Sequence, residues 1–142
     1  MRFGIAVGDA ARFAKPITER DLLLTAEITG DDDPLHVDAE YAARTAFGRR
    51  IAHGALVLGL LSTTASLIAR RAIAAGCDGV PVSLGYDRVR FLAPVFIGDT
   101  LTADYRVEQL EPARARAESL GEVRNQDGAL CLSARHILRW VR

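Results

Sequence analysis

The 142-residue chain is 49% hydrophobic and 25% charged, a balance that suits one folded domain spanning residues 1–142 and excludes a disordered tail. Its 18 basic and 18 acidic residues cancel, so there is no basic footprint for nucleic acid. Cys77 and Cys131 lie far apart with neither Cys-x-x-Cys nor zinc-ligand spacing, which argues against a disulfide scaffold or structural zinc and for a reducing, cytoplasmic setting.

In chain order, Met1–Asp9 lacks the apolar stretch and small-residue cleavage site of a secretory signal. Thr18, followed by Asp21 and the apolar Leu22, Leu23, Leu24, Ala26 and Ile28, reads as a capped helix that Gly30 stops. Asp38 is a candidate N-cap for a second, short helix carrying Tyr41, Ala42 and Thr45. The longest helix is expected from His53-Gly54 to about Ala75. Its uncharged run Ile51–Ala69 approaches the ~20 residues of a membrane span, but Ser62, Thr63, Thr64 and Ser66 make a buried core helix the better reading.

After Gly76 the period changes to that of strands. Val80–Phe91 is one, ended by Pro94, and Leu101, Ala103, Tyr105 and Val107 alternate with polar residues in another. Ala113–Leu120 alternates small and charged residues, Asn125–Gly128 is a turn, and Leu130, Leu132, Ala134, His136, Leu138 and Trp140 share one face of a closing strand. The plan is α+β: a short N-terminal strand and helices, then at least four mostly antiparallel strands wrapped on a long apolar helix.

The densest polar cluster is Thr29–Asp38, between two predicted helices, where catalytic groups concentrate. A calcium loop starting at Asp31 fails, because the sixth and twelfth positions hold His36 and Ala42 instead of Gly and Glu. A solvated turn is the plain alternative, and Asp31, His36 and His53 have metal-ligand chemistry without a recognised spacing, so no metal is expected. The second half of the constellation is Ile51–Leu56. Gly54 falls in the first turn of the long helix, where unpaired N–H groups point outward and no side chain blocks an approaching oxygen.

Gly30-Asp31-Asp32-Asp33-Pro34-Leu35-His36 resembles the Gly-Asp-x-Asn-Pro-[Leu/Ile/Val]-His motif of the MaoC-like, or (R)-specific, enoyl-CoA hydratases. Ile51-Ala52-His53-Gly54 and Phe91-Leu92-Ala93-Pro94-Val95-Phe96-Ile97-Gly98-Asp99 resemble two further motifs of that family, in the same order. The resemblance implies a single hot-dog fold, an active site at a homodimer interface, and hydration of a trans-2-enoyl-CoA to an (R)-3-hydroxyacyl-CoA without metal or organic cofactor. It assigns catalysis to Asp31 and His36. The chemistry agrees: hydration needs a base for the water, an acid for C2 and a donor to the thioester oxygen, the last supplied by Gly54 N–H.

One residue departs from the pattern, since Asp33 stands where the family has Asn. Pointing inward it would repel Asp31; capping the next turn it would be silent, and the silent case is favoured. Ser62 matches a family position near the catalytic Asp, or bonds back to its own helix. Tyr41, Phe47, Leu58 and Leu61 are candidates for an acyl-chain lining or for plain core. Arg88 and Arg90, with Arg49 and Arg50, are candidates for the coenzyme A phosphates or for solvated surface. His53 is expected to support the loop, and His136 to be structural.

The neutral total also hides a division. Ile17–Ala43 carries eight acids against Arg20, and Arg44–Arg90 seven arginines against Asp78 and Asp87, which keeps an anionic substrate compatible with a neutral chain. Two rival functions share these features: a hot-dog acyl-CoA thioesterase, and an acyl-CoA-binding module that has lost turnover.

Overall fold

A computed structural model describes residues 1–142. Strand β1 (Ala10–Pro16) leads into helix α1 (Glu19–Thr29), the short helices α2 (Pro34–Val37) and α3 (Ala39–Ala43), and the long helix α4 (Gly54–Ala74). Strands β2 (Val80–Phe91), β3 (Thr100–Glu111), β4 (Arg116–Arg124) and β5 (Leu130–Val141) complete one sheet in the order β1-β3-β4-β5-β2, with every neighbouring pair antiparallel.

Local chemistry sets the boundaries of the helices. The Thr18 hydroxyl accepts from Asp21 N–H and the Asp21 carboxylate accepts from Thr18 N–H, closing a reciprocal capping box at the start of α1. Gly30, at φ 78°, ends that helix in the left-handed region. The expected apolar face of α1 is mostly unfilled: Leu22 is buried, whereas Leu23, Leu24 and Ile28 remain exposed.

Helix α4 lies against the inner face of the sheet. Its N-terminal half packs Val57, Leu60 and Leu61 with Ile17, Leu101 and Leu132. Its C-terminal half packs Ile68 and Ala72 with Val107, Leu138 and Trp140, and the Trp140 ring meets Phe3 edge-on at 4.8 Å. These contacts bury the apolar stripe that by length and hydropathy alone also fits a membrane span.

Helix and sheet also meet closely at Gly121 in mid-strand β4, where a Cβ would sit 2.7 Å from Leu61 Cδ1. Leu61 is fully buried and has nowhere to retreat. Gly121→Ala is therefore expected to destabilise the fold by about 1–3 kcal/mol, as overpacked cores do. A thermal unfolding midpoint equal to that of the unmodified chain would contradict this packing.

Two sequence expectations change. Ala113 and Arg114 are not in a strand; Pro112–Arg114 forms one 3-10 turn and β4 begins at Arg116. Proline cannot donate to a sheet ladder, and Ala115 turns the chain at φ 51°. The acidic Thr29–Asp38 segment is not wholly loop, because α2 nucleates inside it on Pro34 in its first turn and the Asp33 cap.

Candidate active site

The three sequence segments singled out above meet at the N-terminal end of α4. Asp33 Oδ1 accepts from Leu35 N–H at 2.9 Å, caps α2 and so orients His36. His36 Nδ1 then donates to the Ile51 carbonyl at 2.8 Å. Ile51 is in turn held by a bridge to Phe96, and Ala52 N–H donates to Val95 O at 2.7 Å. His53 Nε2 donates to the Asp31 carbonyl at 2.9 Å, and the ring of Phe91 lies against Gly54. The last segment is closed by Asp99, whose buried carboxylate accepts from Phe96 N–H and from Gln126 Nε2, each at 2.9 Å.

These bonds fix the chemistry of both imidazoles. A carbonyl oxygen can only accept, so His36 carries its proton on Nδ1 and His53 on Nε2. In the neutral rings, His36 Nε2 and His53 Nδ1 are then bare lone pairs. The rings stack, with centroids 3.8 Å apart and planes at 24°. The Asp31 carboxylate and one nitrogen of each ring lie within 4.8 Å of one another. Two hydrogen bonds of normal length to one water span up to about 4.6 Å, so carboxylate and imidazole are within reach of one shared water.

A metal ion suits the trio less well. Ligand lone pairs lie in the imidazole plane, and two nearly parallel planes 3.8 Å apart do not converge on one ion at about 2.0–2.1 Å from each nitrogen.

Beside the trio opens a cavity of about 430 Å³, lined by His36 and Gly54 and otherwise mainly by apolar groups that include Phe47, Ile51, Val57, Phe91, Leu92 and Cys131. Helix α4 starts there with His53 as N-cap and no side-chain hydrogen bond to its first amides. Those N–H groups and the positive end of the dipole face the same place as the His36 ring.

Of the predicted site residues, His36, Gly54 and Phe47 line this cavity, with exposed Asp31 beside His36. Tyr41, Leu58 and Leu61 do not: Tyr41 is exposed on α3, Leu58 packs against the core, and Leu61 is sealed under Gly121. Ser62 is exposed on α4, beside the Tyr86 hydroxyl and without a hydrogen bond to Asp31 or to its own helix. Arg88 occupies a separate depression with Asp87, Glu108, Glu118 and Arg135, where three acids outnumber two arginines and would repel a phosphate. Arg90 folds back to donate to Val89 O at 2.8 Å. Arg50 pairs with Glu19 at 2.7 Å, and Arg49 stacks on Phe96 with its guanidinium carbon 3.9 Å from the ring centre. Asp33 follows the silent reading, since an asparagine oxygen would make the same cap.

Sequence reasoning missed Val57 and Cys131, which carry no signal beyond being apolar. Phe91 and Leu92 were within its reach as part of a quoted motif.

A sheet folded round one long helix, with its polar groups gathered at that helix's N-terminus, is the hot-dog arrangement. The chain belongs to the MaoC like domain family, whose model matches residues 3–127. It is 40% identical over 110 residues to the (R)-specific enoyl-CoA hydratase of Rhodospirillum rubrum, covering 78% of this chain and 71% of that protein. It is 31% identical over 135 residues to the (R)-specific enoyl-CoA hydratase of Aeromonas caviae, covering 95% of each. The solved structure of the A. caviae (R)-hydratase involved in PHA biosynthesis superposes with a TM-score of 0.82, at 31% identity, over 96% of this chain and 98% of that one.

Proposed function

We propose that this chain hydrates a trans-2-enoyl-CoA to an (R)-3-hydroxyacyl-CoA and catalyses the reverse dehydration, using Asp31, His36 and Gly54. The observation that supports the mechanism most directly is the carboxylate and imidazole within 4.8 Å, at the mouth of an apolar cavity and beside an uncapped helix N-terminus. Asp31 and the bare Nε2 of His36 hold one water. As its oxygen bonds to C3, its proton moves to Nε2 and the C2–C3 π pair shifts toward the thioester carbonyl. Gly54 N–H donates to the oxygen that gains charge. The proton on Nε2 then passes to C2, which returns His36 to its starting state, so the cycle needs no metal or organic cofactor.

The acyl chain enters the cavity past Phe47 and Leu92, and residues 1–142 act as one catalytic unit. We place the protein in the cytoplasm, in keeping with its two free cysteines.

The same reading includes a homodimer. Edge strand β1 carries Arg12, Lys15 and Pro16, which discourage strand pairing. Edge strand β2 also holds a proline, Pro81, but opens with exposed Val80, Val82 and Leu84 in place of charged residues. Beside it α4 leaves Gly59, Ser62 and Ser66 uncovered. Both features suit a second copy paired along β2.

The test is incubation with short and long trans-2-enoyl-CoA. Loss of the conjugated enoyl absorbance without free thiol is expected; thiol release, or binding with neither change, would overturn the reading. Light scattering should give twice the 15.4 kDa chain mass, and Val82→Lys should shift it toward one chain.

A further inference from the structure

We propose that His53 is a positioning residue for the hydration site, holding Asp31, His36 and the start of α4 in one arrangement. The inference rests on the function proposed above and assigns His53 no proton transfer of its own.

One residue bears on each of the three groups that the reaction needs, on two through its side chain and on the third through its backbone. Its Nε2–H donates to the Asp31 backbone carbonyl at 2.9 Å, which fixes the loop from which the carboxylate projects. Its ring lies on the His36 ring at 3.8 Å, and His36 is pinned at its edge by the Ile51 carbonyl. Face and edge together leave the His36 imidazole one orientation. His53 is also the N-cap of α4, one residue before Gly54, so its backbone sets where the helix amides begin.

The remaining nitrogen of His53 shows what the residue is not doing. Nδ1 is buried without a hydrogen-bond partner, in a residue only 2% exposed. An orphaned buried polar atom is destabilising, so a plain packing role would be better filled by an apolar side chain. Nor does His53 line the cavity, which receives His36 and Gly54. The features that remain useful are the flat ring and the Nε2 donor. Their effect is geometric: displacement of a catalytic group by about 1 Å costs about 10²-fold in rate.

Two variants separate the donor from the bulk. His53→Gln carries an amide N–H to the position of Nε2, whereas His53→Leu fills the volume without a donor. The expected result for His53→Leu is a kcat about 10–100-fold lower, with KM changed by less than about 3-fold. His53→Gln is expected to restore most of that kcat. A Leu variant within twofold of the unmodified enzyme, or a Gln variant as slow as Leu, would overturn the assignment.

A second measurement covers a Leu variant that does not fold. Nitrogen-15 imidazole spectra of the unmodified protein should show His53 protonated at Nε2 and His36 at Nδ1. The opposite tautomer of His53 would overturn the proposal whether or not the protein hydrates enoyl-CoA, and absent hydration in the unmodified protein would instead sink the functional reading.

Discussion

Asp31→Asn and His36→Gln are each expected to slow enoyl-CoA hydration by about 10²–10⁴-fold, the usual worth of a positioned general acid–base group. Asparagine keeps the size of Asp31 and the backbone carbonyl that His53 grips, and loses the charge that orients water toward C3. Glutamine keeps a polar group in the place of His36 and loses a lone pair that can take up a proton and return it. Neither residue is buried, so neither change leaves an unsatisfied charge in the core. Most of the loss should fall on kcat, with KM moved far less, because the apolar cavity lined by Phe47, Val57 and Leu92 is left unchanged. The double variant should be about as slow as the worse single one, since two groups that hold one water act as a unit. Full activity in both single variants would remove this mechanism altogether.

Between pH 7.5 and pH 5 the folded state is expected to lose stability through His136. This imidazole is fully buried on β5, with Nδ1 2.7 Å from the Tyr105 hydroxyl and Nε2 2.8 Å from Ser83 Oγ. Burial pushes the Tyr105 phenol up to about 12, so it stays a neutral hydroxyl, and Tyr105 and Ser83 can each donate or accept, which satisfies both nitrogens of the neutral ring. Burial also pushes His136 down to about 4. Tyr105 and Tyr86 are the titratable groups packed on it, and neither supplies a negative charge.

In the unfolded chain the same group takes a proton near pH 6.5, so the unfolded state binds more protons across that interval and acid favours it. The contribution is complete above about pH 6.5 and falls steadily toward pH 4, amounting to about 3 kcal/mol in all. The carboxylates of Asp21, Asp78 and Glu108, held low by their hydrogen-bond and ion-pair partners, lose their contribution only in the more acidic carboxylate range. Urea unfolding at the two pH values measures the effect, and His136→Gln should flatten it at some cost in stability at pH 7.5. A slope that survives unchanged in that variant would assign the effect elsewhere.

Much of this fold was legible because its signals are local. Thr18 with Asp21, Gly30, Asp38 and His53-Gly54 each depend on backbone groups within a few residues, and each marks a helix boundary as expected. The site was legible for a different reason: its three segments carry residue types that a plain core does not need. What stayed hidden depends on the curvature of the sheet. Cys131 reaches the cavity from the far end of the chain, and nothing in its neighbours sets it apart. The setting of Arg88, a candidate for phosphates or for solvated surface, stayed hidden because alternation along β2 cannot show where the strand slips; it sits at φ 53° inside a register shift between Asp87 and Arg90, which carries it into an acidic depression. Leu61 illustrates the same limit for depth, since an apolar helix position reads alike whether it meets a cavity or Gly121.

Helices α1, α2 and α3 each begin under a side-chain cap, from Thr18, Asp33 and Asp38; α4 alone does not. A serine or aspartate at position 53 would accept from Ala55 or Leu56 N–H and add roughly 1 kcal/mol to the helix. It would also release Asp31 and remove the ring that lies on His36. A search for thermostable variants would thus favour sealing the helix start, and it would select against the enzyme.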